Sequence, residues 1–263
     1  MTGTEPWALI LGASSGFGEA TSLELARNGY DIIGVHLDRK STLPHVERVI
    51  DEIRATGRRA LFFNVNAADP ERREEVLFRA SDEMGRSGTV AVLLHSLAFG
   101  NLRPYIAGTP QDEITAAQMD MTLTVMAHSL VYWTQDLVRR GLIRQGGKVF
   151  AMTSAGGTRV LPNYGAVSAA KAALESHIRQ LAMELAPRGI AVNAIRAGVT
   201  DTPALRKIPG HEAIAETALK RNPSGRLTIP GDVARAIAAL CRPGTEWITG
   251  NVIGVDGGED VIG

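Results

Sequence analysis

A single cysteine, Cys241, in 263 residues excludes an internal disulfide framework and a cysteine-based zinc cage. Charge of one sign is equally scarce in excess: lysine plus arginine and aspartate plus glutamate number 28 each. A nucleic-acid binder needs a basic surplus, so that class is disfavoured. No stretch reaches the roughly 18 uninterrupted apolar residues of a membrane span, and residues 1–6 lack a basic segment followed by an apolar one. No linker rich in proline, glycine or serine divides the chain, and no repeat is visible. These absences lead to the expectation of a cytoplasmic, unprocessed, soluble protein that binds neither nucleic acid nor membrane. No metal is expected, because His95, at a strand end, has no partners at ligand spacing and reads as structural.

What is present is alternation. Residues 7–11 form a short apolar run ending abruptly in glycine, as a buried strand does. Helical spacing follows over 19–28, with Gly29 as its stop. Further strands are expected at 31–37, 60–65, 89–95, 148–153, 190–195 and 251–255. Helices are expected in the stretch ending at Gly57 and over 70–84, 111–140, 166–186 and 231–240. Strands alternating with helices give the fold class α/β, a Rossmann-type doubly wound parallel sheet of about seven strands with helices on both faces. One domain is expected over 1–263. The stretch 203–226 has three prolines and no strand signal, and reads as a substrate-binding lid around 200–226.

The turn between the first strand and first helix is Gly12-Ala13-Ser14-Ser15-Gly16-Phe17-Gly18. Glycines at this spacing let the chain reverse sharply and bring backbone N–H groups against a pyrophosphate. Ser14 and Ser15 add hydroxyl donors. A glycine motif alone is weak evidence, but here it follows a strand and opens a helix in a repeating β/α chain. The implied cofactor is a nicotinamide dinucleotide. The end of the second strand discriminates NAD from NADP, since an acid there accepts from the ribose and basic groups pair with a 2′-phosphate. Asp38 keeps NADH open, while Arg39 and Lys40 tilt the reading toward NADPH. Asn66, beyond the third strand, is a candidate for adenine contact, and its neighbour Ala67 carries no assigned role.

Ser154 lies just past the fifth strand, Tyr164 stands ten residues on, and Lys171 follows seven later. Seven helical residues turn through about 700°, so both side chains share one face, above the strand ends where α/β ligands bind. An ammonium nearby is expected to lower the phenol from its usual value of about 10. Tyr164, Lys171 and Ser154 are therefore the candidate catalytic residues.

With these elements the chain resembles the short-chain dehydrogenase/reductase family over essentially its whole length, a likeness that extends to Val192-Asn193-Ala194-Ile195 and Val255-Asp256-Gly257-Gly258. Where that family usually has Tyr-x3-Lys, this chain has Val167. The Tyr-x6-Lys spacing and His95-Ser96-Leu97-Ala98-Phe99 resemble its enoyl-acyl-carrier-protein reductases, as do Pro162-Asn163-Tyr164 and Ala197-Gly198. The compact glycine turn and Ser154 resemble their third, NADPH-preferring type. The asparagine of alcohol-oxidising members aligns with Thr124. The resemblance implies reduction of a trans-2-enoyl thioester on an acyl carrier protein or coenzyme A, in fatty-acid biosynthesis, by a homotetramer. It further implies that the Val199 backbone and Thr202 hold the carboxamide and phosphate side of the cofactor. The alternatives are a carbonyl or 3-oxoacyl reductase, or an alcohol dehydrogenase, and, from another class, a non-catalytic cofactor-binding regulator.

Overall fold

The computed structural model describes residues 6–262. Seven strands form one parallel sheet: β1 (Trp7–Leu11), β2 (Asp31–His36), β3 (Ala60–Asn64), β4 (Val90–His95), β5 (Lys148–Ser154), β6 (Ala191–Ala197) and β7 (Val252–Val255). Their order is β3-β2-β1-β4-β5-β6-β7, with every pairing parallel. The doubly wound fold read from the alternation is the one observed. Chain order reverses beside β1, which opens a crevice at the carboxyl ends of β1 and β4.

The helices are α1 (Gly16–Arg27), α2 (Leu43–Ala55), α3 (Pro70–Met84), α4 (Ala116–Leu123), α5 (Ser129–Arg139), α6 (Gly165–Leu185), α7 (His211–Arg221) and α8 (Pro230–Leu240). Both faces of the sheet are covered, so its central strands are apolar throughout rather than alternating. Trp7, Leu9 and Leu11 pack toward α3, α5 and α6, whereas Ala8 and Ile10 pack toward α1, α2 and α8. α3 shows how locally this is specified. Asp69 caps it by accepting from the Glu71 and Arg72 amides, Pro70 occupies the first turn, and Val76, Leu77, Ala80 and Met84 are buried. Burying each of the larger apolar side chains contributes roughly 1.5–3 kcal/mol.

The expected helical stretch 111–140 resolves into α4, a π turn at Thr124–His128, and α5. Within the expected lid, a 3-10 turn at Leu205–Lys207 buries none of its residues and α7 buries only Ala218. No helix among the described residues is long and apolar enough to cross a membrane.

Candidate active site

The glycine turn shows why side chains are excluded from it. Gly12 has φ +90°, and a β-carbon there would fall 2.4 Å from the Ser96 carbonyl oxygen; one at Gly18 would fall 2.0 Å from the Gly12 carbonyl oxygen. Gly16, at φ +58°, opens α1. The first N–H groups of α1 have no intrahelical acceptor. Ser15 caps this helix in extended geometry without turning its side chain to the backbone, which leaves its hydroxyl for a ligand. Phe17 packs on the α8 side of the core. Thr202 lies against Gly16 and is buried. The result is a backbone cradle that a β-carbon would fill, as a pyrophosphate requires.

At the end of β2 the acidic and basic candidates are placed differently. Arg39 and Lys40 are exposed, and Asp38 is the residue turned inward. Its carboxylate accepts from Thr42 at 2.7 Å and pairs with His36 Nδ1 at 2.9 Å, while its backbone is clasped by Asn64. Burial alone would raise its carboxyl, but hydrogen bonds from Ser14, Thr42 and His36 outweigh that and hold it below the usual range. Asp38 therefore stays anionic beside the glycine turn. Asn66 uses its side-chain oxygen to accept the Ala68 amide, closing its own turn. Ala67 is buried, and its carbonyl accepts from Trp133 Nε1.

Two glycines after β5 bring the three candidate catalytic residues together. A β-carbon at Gly156 would fall 2.5 Å from the Tyr164 ring and 3.3 Å from Ser154 Oγ, and one at Gly157 would fall 3.3 Å from the Lys171 β-carbon. Ser154 Oγ is buried and makes no well-formed hydrogen bond, though it stands close enough to Tyr164 to favour the phenolate. Lys171 is buried, and its ammonium donates to the Met152 carbonyl at 2.7 Å. Desolvation brings it down to about 8 against the opposing pull of Glu175. The expectation that Lys171 lowers the phenol fails here. Burial raises Tyr164, and Lys171 is not among the causes.

The Val199 amide donates to Glu259 Oε2 at 3.0 Å, which leaves its carbonyl as the backbone group open to a carboxamide. Glu259 is buried and raised, chiefly by desolvation. No spacing signal in the sequence marks Glu259, and none marks the inward turn of Asp38. His95 is fully buried, bonds to Ser129 Oγ at 2.8 Å, and is driven down to about 3 by burial and then by Lys171. It is a neutral structural group.

Val167, where the usual tyrosine would stand, is buried with Val125, Met126 and Ala170. A β-carbon at Gly100 would fall 2.5 Å from its methyl group. Position 167 thus presents no phenol, and the ring that stands against Gly156, beside Ser154, is that of Tyr164.

The cradle, the orphaned Ser154 hydroxyl and the Tyr164/Lys171 pair fit a nicotinamide dinucleotide. Fold and site together define an NAD(P)H-dependent short-chain dehydrogenase/reductase. A family model described as Enoyl-(Acyl carrier protein) reductase matches residues 12–259, and the chain belongs to that family. Among curated relatives, it is 25% identical to versicolorin reductase stcU of Emericella nidulans, over 95% of this chain and 94% of the other. It is 29% identical to a 3-oxoacyl-[acyl-carrier-protein] reductase of Thermotoga maritima (95% and 96% covered). It is also 29% identical to 1-cyclohexenylcarbonyl-CoA reductase of Streptomyces collinus (97% and 87% covered). Of solved structures, an enoyl-[acyl-carrier-protein] reductase (NADH) from Aquifex aeolicus superposes with a TM-score of 0.85 at 23% identity, covering 98% and 97%, a likeness of fold. A short-chain dehydrogenase from Burkholderia cenocepacia in complex with NADP gives 0.81 at 28% identity, covering 98% and 100%.

Proposed function

We propose that this protein reduces the C2=C3 double bond of a trans-2-enoyl thioester, carried on an acyl carrier protein or coenzyme A, in fatty-acid biosynthesis. The observation that carries the reading is the displaced tyrosine. Val167 is sealed against Gly100, and the one phenol beside Ser154 stands seven residues before Lys171. The relative acting on a cyclohexenylcarbonyl-CoA lends the reading support. The relative acting on 3-oxoacyl thioesters supports carbonyl reduction as the second reading.

The bound nicotinamide supplies the hydride, taken up at the substrate's β-carbon. Negative charge then develops on the thioester oxygen. Tyr164, a phenol that burial raises further above its ordinary value, donates to that oxygen, where a preorganised donor contributes most. Lys171 would supply positive potential and hold the nicotinamide ribose. Ser154 would line the site beside Tyr164, Thr202, against Gly16, would serve the phosphate side, and the 200–226 segment with α7 would cover the substrate. The anionic Asp38 accepts ribose hydroxyls and repels a 2′-phosphate, so we place the preference with NADH, against the expectation from Arg39 and Lys40.

The test is to offer crotonyl- and acetoacetyl-CoA in parallel with NADH or NADPH, following reduced-cofactor absorbance. Oxidation with crotonyl-CoA, lost in Tyr164→Phe while cofactor binding persists, is the expected result. Turnover of acetoacetyl-CoA alone would overturn the enoyl reading.

A further inference from the structure

A second phenol stands at the mouth of this site, and none of the chemistry above uses it. Tyr105 lies on the excursion between β4 and α4. A β-carbon at Gly165, the residue after Tyr164, would fall 2.5 Å from Tyr105 Cζ and 2.9 Å from its hydroxyl oxygen. The ring therefore rests on the bare backbone that opens α6. The excursion is braced on both sides of it. The Ile114 amide donates to the Pro104 carbonyl at 3.0 Å, Arg103 to the Gln111 carbonyl at 2.7 Å, and the Ala107 amide to Glu113 Oε1 at 3.1 Å. A second contact, Gly100 against Val167, pins the same excursion two residues further along α6.

Despite that bracing, Tyr105 is 52% exposed, and Phe99 (56%) and Ile106 (86%) on the same excursion are more so. Val160, on the loop leading to Tyr164, is 97% exposed. Among the described residues the Tyr105 hydroxyl has no hydrogen-bond partner. An aromatic ring fixed in place, one residue from the catalytic phenol and flanked by exposed apolar side chains, suits an apolar ligand rather than water.

We propose that Tyr105 is a specificity-determining residue that walls the acyl-binding space beside Tyr164 and restricts it to short acyl chains. This rests on the acyl-thioester reading of the site. The ring, not its hydroxyl, does the restricting, because the ring fills the volume over Gly165.

The test measures binding, so it stands apart from which reaction is catalysed. Affinities of butyryl-CoA and octanoyl-CoA are determined calorimetrically on the full-length protein with saturating NADH. Tyr105→Ala is expected to shift the ratio toward octanoyl-CoA by about tenfold or more, the scale that added methylenes carry in a hydrophobic pocket. Tyr105→Phe should leave the ratio near that of the unsubstituted protein. Gly165→Ala, whose new methyl must push the ring aside, should move the ratio the same way as Tyr105→Ala. A ratio unchanged in Tyr105→Ala, or changed equally in Tyr105→Phe, overturns the proposal. If both ratios move as expected while crotonyl-CoA is not reduced, the enoyl reading fails and the acyl wall stands. If neither acyl-CoA binds any form of the protein, both fail together.

Discussion

At Tyr164 and Lys171 burial drives two titrations in opposite directions, and the pH dependence of activity follows from that. Burial raises the phenol, so Tyr164 remains a donor through neutral and mildly alkaline pH. Burial brings Lys171 down to about 8, so its charge disappears first. kcat/KM is therefore expected to fall as pH rises through about 8, with Lys171 rather than Tyr164 setting the limb. Lys171→Arg keeps its charge over the whole accessible range and should flatten that limb, at reduced rate; an unchanged limb would refute the assignment. Asp38 gives a second test. Asp38→Ser removes the anion at the end of β2 and leaves Arg39 and Lys40 in place, so the kcat/KM ratio of NADPH to NADH should rise about tenfold or more. No rise would return the preference to the exposed cations. The pairing of Tyr164 with Lys171 was legible from spacing alone, because seven residues bring a helix back to one face. Which influence wins at the phenol was not, since desolvation depends on what packs around it.

Elements were legible to the degree that their signals are local. α3 has the expected span because a proline, a capping aspartate and an apolar stripe all lie within its own residues. The π turn at Thr124–His128 has no such signature. There the Ser129 amide reaches back to the Thr124 carbonyl, a shift of backbone pairing that side-chain periodicity does not encode. The glycine turn was legible as a motif, yet the reason Gly18 is required, that a β-carbon there would fall 2.0 Å from the Gly12 carbonyl oxygen, exists only in three dimensions. The same holds at the start of α6, where Gly100 closes on Val167. Val167→Tyr should therefore overpack that contact, costing about 1–3 kcal/mol in denaturant unfolding. Combined with Tyr164→Phe it should restore no turnover. Recovered activity in that double variant would show that α6 can present its phenol from either position.

Over the whole molecule, opposite charges balance, so acid sensitivity comes from particular buried groups rather than from net repulsion. Three histidines lie below their ordinary value. His95 is driven to about 3 by burial and then Lys171, His36 is lowered by burial against the opposing Asp38, and His177 is lowered by burial and then His128. His128, the last residue of the π turn, and His177 on α6 meet at 3.0 Å, a contact that requires one ring to be neutral. A base depressed in the folded state binds fewer protons there than in the unfolded chain. Its contribution to stability is thus complete above about 6.5 and is lost as pH falls below that. The depressed carboxyl of Asp38 acts only at lower pH, and the raised carboxyl of Glu259 gains stability as pH falls, so the loss between about 6.5 and 5 comes from the histidines. His95, whose folded value lies far beneath the window, accounts for a loss on the order of 1 kcal/mol per pH unit across it. Each kcal/mol lowers Tm by roughly 2–4 °C in a chain of this size. Thermal unfolding followed at pH 7.5 and pH 5 should show this loss, and His95→Gln, which keeps a partner for Ser129 without titrating, should lose measurably less between the two. An equal loss in both proteins would place the acid sensitivity elsewhere than in the buried imidazole at the end of β4.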